Sequence, residues 1–150
     1  MRISTRGRYA VMAMAELARR EAATPITLTR IAASQKLSQC YLEQLFGGLR
    51  RAGLVVSVRG AGGGYRLARP APEIAIAAIV EAVEESLAIA GAPQQAVCRM
   101  HDLWSELGRH IHLFLSGITL ADVVEGRVCG RALAPAGAER TGAEPDRVDA

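Results

Sequence analysis

Apolar residues return every third or fourth position after Ser4, at Ala10, Val11, Met14, Leu17 and Ala18, which predicts an amphipathic helix over about residues 5–20 capped by Ser4. Its first turn carries Arg6 and Arg8, cations at the positive end of a helix dipole, an arrangement that favours a nearby anion such as a phosphate. The pattern stops near Thr24-Pro25. Thr27 then caps a short helix with Leu28, Ile31 and Ala32 on one stripe, and Leu37-Ser38 interrupts the period. Ser38 caps a second helix, QCYLEQLFGGLRRAG, in which Tyr41, Leu42, Leu45, Phe46 and Leu49 face inward and Gly53 supplies the stop. Two short helices joined by a tight turn predict a helix-turn-helix, with Gln39, Cys40, Glu43 and Gln44 on the solvent side of its second helix.

The period then drops from 3.6 to 2. LVVSVRG and YRLAR read as two strands around AGGG, where Gly60, Gly62, Gly63 and Gly64 permit the positive φ and close backbone approach of a hairpin tip. Arg59 and Arg66 flank that tip, so the predicted unit is a winged helix-turn-helix: mainly α, with a small β-hairpin wing. A linker from Pro70 to Pro72 leads to a helix marked by Ile76, Ile79, Val80 and Val83. An aperiodic loop over 88–97 closes at Cys98-Arg99-Met100-His101 and abuts a long helix, DLWSELGRHIHLFLSG, capped by Asp102. Leu103, Leu107, Ile111, Phe114 and Ile118 follow a 4-4-3-4 spacing, an apolar stripe that most simply pairs with its copy in a second subunit. His110 falls near that seam and His112 on the solvent side. Gly117 ends the helix, and Thr119 with Asp122 makes a capping box for a last short one. The predicted organisation is a winged helix-turn-helix over 1–70, a loop with dimerisation helices over 71–128, and a disordered tail over 129–150 rich in Ala, Gly, Pro and charge.

Composition narrows the class. A chain of 150 residues supports one ordinary core, and 4% aromatic content makes that core aliphatic. The longest apolar run, Ile74 to Val80, is seven residues, against roughly 20 for a membrane span. The stretch from Ala10 to Ala15 is shorter than a signal-peptide apolar region, so the expected location is the cytoplasm. Cys40, Cys98 and Cys129 are too far apart and too few to suggest a disulfide framework.

Charge is sharply divided. Residues 1–70 hold 12 Arg or Lys against 3 acids, net +9, while residues 71–150 hold 6 against 12, net −6. A basic front half points to a polyanion as partner. Arg2, Arg6, Arg8 and Arg30 would position a duplex through its phosphates, with Arg59 entering the minor groove beside Gly62 and Gly63. Ser38, Gln39, Cys40, Tyr41, Glu43 and Gln44 would lie at the major groove, where Gln suits adenine and Glu accepts from cytosine but repels phosphate. Glu43 either selects cytosine, penalises wrong sites, or is a solvated carboxylate; Cys40 meets a thymine methyl, is an oxidation target, or is inert. GAGGGY departs from the dinucleotide-binding G-x-G-x-x-G, there is no Walker A or G-x-S-x-G motif, and no enzyme is indicated.

STRGRYAVMAM, SQCYLEQLFGGLRRAGLVVSVRGAGGGYRLAR, CRMHDLW and LSGITLADVV together resemble the dimeric winged-helix repressors that include IscR, NsrR, RirA and CymR, from Met1 to about Val128. YLEQLF, SVRGAGGGY and ITLADVV are most similar to the IscR-like members, regulators of iron–sulfur cluster assembly. The resemblance implies a homodimer on a roughly palindromic operator, base contact at Cys40 and Glu43, and a labile [2Fe–2S] cluster that tunes operator affinity. Such a cluster is typically held by three cysteines and a His three residues after the last. Here Cys98 and His101 are retained, while Ile89-Ala90-Gly91-Ala92-Pro93-Gln94 stands where the other cysteines should lie. Glu84, Glu85 or groups of a second subunit are the candidates for the remaining positions. Two other readings stay open: a cofactor-free regulator controlled by a protein partner, as CymR-like members suggest, and a winged-helix adaptor that binds protein only.

Overall fold

The structure is a computed structural model that describes residues 4–20, 24–84 and 99–128. Among these residues, six α-helices and one hairpin follow in the order α1 (Thr5–Ala18), α2 (Leu28–Gln35), α3 (Gln39–Arg51), β1 (Val55–Val58), β2 (Gly64–Leu67), α4 (Ile76–Val83), α5 (Arg99–Ser116) and α6 (Leu120–Val124). The architecture is the expected mainly helical winged helix with a two-stranded antiparallel hairpin.

The caps read from the chain form as hydrogen bonds. Ser4 Oγ accepts from the Gly7 N–H at 3.1 Å, Thr27 Oγ1 from Arg30 at 3.4 Å, and Ser38 Oγ from Tyr41 at 3.2 Å. Thr119 and Asp122 close the reciprocal capping box of α6. Between α2 and α3 the turn is made by Lys36 in the left-handed region, φ 54°. Hairpin register pairs Val55 with Leu67 and Val58 with Gly64. Ile26 and Tyr65 exchange backbone hydrogen bonds of 2.9 and 2.8 Å, tying the wing to the segment before α2. Gly64, at φ +149°, is required there, because a Cβ would overlap the Ile26 carbonyl.

The core is aliphatic apart from Phe46, and it runs without a break from α1 through α3 and the hairpin into α4 and α6. Small residues on α1, Ala10, Ala13 and Ala15 beside Met14 and Leu17, let neighbouring helices approach it closely. The chain changes character near residue 70, but the core does not. The predicted linker folds as a 3₁₀ turn over Ala71–Glu73, and Ile74 just beyond it is fully buried. Ile76 N–H donates to Ile118 O at 2.9 Å and Leu120 N–H to Ile74 O at 2.8 Å, sewing the start of α4 to the start of α6.

Three expectations change in the C-terminal half. Helix α5 begins by Arg99, so Asp102 lies in its first turn instead of capping it, where the carboxylate still complements the dipole. Ile118 leaves the apolar stripe: the helix ends at Ser116, Gly117 turns the chain, and Ile118 is 3% exposed in the core of its own subunit. Leu103, Leu107 and Phe114 remain exposed and Ile111 is half-buried, while Trp104 and Leu113 add exposed apolar surface that the spacing rule passed over. The expected tail over 129–150 lies outside the described residues.

Candidate nucleic-acid interface

Helix α3 presents Gln39, Cys40, Glu43 and Gln44 to solvent, with Ser38 exposed at its cap. These residues share one side because the opposite side, Leu42, Leu45, Phe46 and Leu49, is buried in the core. Cys40 is a free, exposed thiol. Gln39 is engaged at both ends of its amide: Oε1 accepts from Thr29 Oγ1 at 3.2 Å, and Nε2 donates to Glu43 Oε1 at 3.3 Å. That chain holds the Glu43 carboxylate along the helix, and it leaves Gln39 one amide hydrogen and one Oε1 lone pair for a further partner. Tyr41 is half-buried, its ring edge-to-face with Tyr9 at a centroid distance of 6.1 Å, so it fixes α3 against α1. Phe46 packs on Tyr65 at 4.8 Å, which fixes α3 against the wing.

At the wing tip Gly63 N–H closes a tight turn on Gly60 O at 2.9 Å, and Gly62 takes φ +77°. Arg59, directly before this turn, is exposed, as are Arg8 on α1 and Arg30 on α2. Arg2 lies outside the described residues. Arg6 is half-buried, and it lines an open groove of about 570 Å³ with Gln44, Gly47, Arg50 and Arg51. Arg50 and Arg51 did not stand out in the sequence; the signal for them is that Gln44, Gly47 and Arg51 sit at i, i+3 and i+7, one face of α3.

The first turn of α1 has an internal anion. Glu84, at the end of α4, accepts the Ser4 N–H at 3.1 Å, 80 residues away in sequence. Its carboxylate therefore already serves the positive end of the α1 dipole.

A [2Fe–2S] cluster takes four protein ligands. Among the described residues no three His, Cys, Asp or Glu side chains gather where a metal ion could be held. Cys98 and Glu85 lie outside the described residues, and His101 is placed only as a backbone position in the first turn of α5. Glu84 is turned to Ser4. The residues in view do not fit a cluster site. His110 and His112 are exposed; His110 pairs with Glu106 on its own helix, and His112 Nδ1 reaches Glu81 Oε1 on α4 at 3.0 Å. No helix among the described residues is long and apolar enough to cross a membrane.

A helix-turn-helix with its polar face open, a glycine-tipped wing, and arginines on both define a winged-helix DNA-binding regulator of transcription. Residues 3–126 match the Rrf2 model, described as an iron-dependent transcriptional regulator, and the chain belongs to the Rrf2 family. It is 44% identical to the HTH-type transcriptional regulator IscR of Serratia proteamaculans over 133 residues, 85% of this chain and 81% of that protein. Among solved structures, T. potens IscR superposes with a TM-score of 0.72 at 39% identity, covering 85% of this chain and 88% of the other. CymR, the global cysteine regulator of B. subtilis, gives 0.72 at 35% identity over 84% and 98% of the two chains. These relatives are regulators, not enzymes.

Proposed function

We propose that this chain acts in the cytoplasm as a sequence-specific homodimeric repressor, binding a roughly palindromic operator among iron–sulfur assembly or iron-metabolism genes. The observation that carries the DNA mode is the common exposure of Gln39, Cys40, Glu43 and Gln44 on α3, with Arg59 at the adjacent wing tip. In this mode α3 enters the major groove, Arg59 enters the minor groove beside Gly62 and Gly63, and Arg8 and Arg30 contact phosphates. The exposed Leu103, Leu107 and Phe114 on α5 support pairing of two copies, which sets two recognition helices on half-sites about 34 Å apart or a multiple of it. The family description and the similarity to IscR support the gene class.

A gel-shift titration over genomic fragments checks the reading. Preference for one fragment over random DNA is expected, with Arg59→Ala weakening binding by ~1–3 kcal/mol. Equal binding to all fragments refutes sequence specificity, and affinity that ignores salt moves the module to protein-only binding.

The missing ligand positions favour a second reading of the signal: regulation without a cofactor, through a protein partner. Cys98 and His101 would supply two of the four ligands, as a thiolate and an imidazole three residues apart. Absorption spectra of anaerobically purified protein and Cys98→Ser, with iron and sulfide assayed, separate the two. Visible bands lost in the variant support a cluster; a colourless, iron-free protein that still binds its operator supports the partner.

A further inference from the structure

We propose that the groove between the first turn of α1 and the exposed face of α3 seats one backbone phosphate of the bound duplex, with Gly47 as its floor and Arg6, Arg50 and Arg51 as its walls. This deepens the DNA-binding reading and rests on it.

Three observations converge on the groove. Its lining is Arg6, Gln44, Gly47, Arg50 and Arg51: three guanidiniums, one amide, one glycine and no carboxylate. Such a set recognises a compact anion, and guanidinium geometry suits phosphate oxygens. Arg6 Nε is buried and has no hydrogen-bond partner. A buried charged donor without an acceptor is an arrangement that proteins rarely keep, and a turn of the Arg6 guanidinium into the groove would give it a phosphate oxygen.

Gly47 supplies the third. It sits inside α3, where glycine is the poorest helix former after proline, and a Cβ built there has no neighbour within 4 Å. Nothing in the protein's own packing asks for glycine at that position, in contrast to Gly48 beside it. A groove floor that must admit a ligand does ask for it, because a methyl group would fill the space the anion approaches through. Arg51 is drawn over the same spot by its Nε–H to Gly47 O at 3.4 Å.

The position suits the role. Gln44 opens the groove at the base-reading end of α3 and Arg51 closes it seven residues on, about 10 Å along the axis at 1.5 Å per residue. A phosphate held between them would set how deeply α3 enters the major groove, coupling a contact that carries no sequence information to those that do.

Fluorescence anisotropy with a labelled random-sequence duplex of about 30 base pairs, across a KCl series, tests the seat without knowledge of the operator. Arg50→Gln should weaken binding about eightfold at 0.1 M salt and reduce the magnitude of the log–log salt slope by about 0.9, the values for one neutralised phosphate. Gly47→Ala should weaken binding to a similar extent with no fall in thermal midpoint. Arg69→Gln, at the base of the wing and outside the groove, should bind as wild type. Wild-type affinity and slope in both groove variants overturn the seat, as does a Gly47→Ala protein that melts lower, which would assign the glycine to folding. A wild-type protein that binds no duplex at any salt fails at the DNA-binding reading itself, and the seat falls with it.

Discussion

Gly47 and Gly48 are neighbours in α3 with opposite surroundings, and the same substitution at each should have opposite effects on stability. At Gly48 a Cβ would overlap the Ala82 carbonyl oxygen, with the Ala82 carbonyl carbon 3.4 Å and Val83 Cα 3.8 Å away. All three are backbone atoms of α4, so no side chain can rotate aside, and α3 must move off α4. That movement loosens a core to which Leu45 and Leu49 of α3 and Ile79 and Val83 of α4 all belong. Overpacking of this kind costs about 1–3 kcal/mol, and a rigid backbone places it at the upper end. The helix-forming advantage of Ala over Gly returns about 1 kcal/mol. Gly48→Ala should therefore lose about 2 kcal/mol, a fall in thermal midpoint of roughly 4–8 °C for a chain of this size. Gly47→Ala, with open space around it, keeps the helix gain of about 1 kcal/mol. Urea denaturation of both variants and wild type at one protein concentration reads the difference as a shift in midpoint at constant slope. Equal midpoints for the two variants, or a Gly48→Ala protein as stable as wild type, would refute the close α3–α4 contact.

Three further predictions concern other joints. Glu84→Ala removes the acceptor of the Ser4 N–H and the acid at the α1 N-terminus; a loss of about 1 kcal/mol in denaturant unfolding is expected, and an unchanged midpoint would show the contact to be idle. Lys36→Gly relieves a left-handed residue between α2 and α3 and should raise stability by about 0.5–1 kcal/mol, whereas a fall would place that residue outside the left-handed region. Leu107→Glu puts a charge in the exposed stripe of α5; sedimentation should show a monomer with weakened operator binding, and an undisturbed dimer would move the subunit interface elsewhere.

What the chain disclosed by itself was local. Ser4, Thr27, Ser38 and Thr119 were legible as caps because a cap is a matter of one side chain and an N–H two or three residues on. The hairpin was legible for a similar reason, glycines between two alternating runs. Ile118 shows where such rules stop. Its spacing from Phe114 continues the stripe, but spacing describes a face only while the helix lasts, and Gly117 ends it one residue earlier, so Ile118 enters the core. The groove of Arg6, Arg50 and Arg51 was hidden in the same way: two helices had to be set side by side before three arginines 44 or more positions apart in the chain, or adjacent on a turn, became one feature. The Ser4–Glu84 bond spans 80 residues and leaves no local trace at all.

The division at residue 70 was drawn from charge, and charge describes the surface. The interior follows another logic, set by α1. Its buried side is lined with alanines, so α4 and α6, from the acidic half, come up against it as closely as the helices of the basic half do. Its first turn carries the half-buried Arg6 and the exposed Arg8, while the N–H of its cap residue is held by Glu84, the residue that caps the end of α4. One helix thus belongs to both halves. A shift at the end of α4, where the chain leaves for residues 85–98, meets the α1 N-terminus through one hydrogen bond, two residues from the arginine that lines the groove against α3. In the proposed DNA mode the path from Glu84 to the groove is short, because α1 takes part in both contacts.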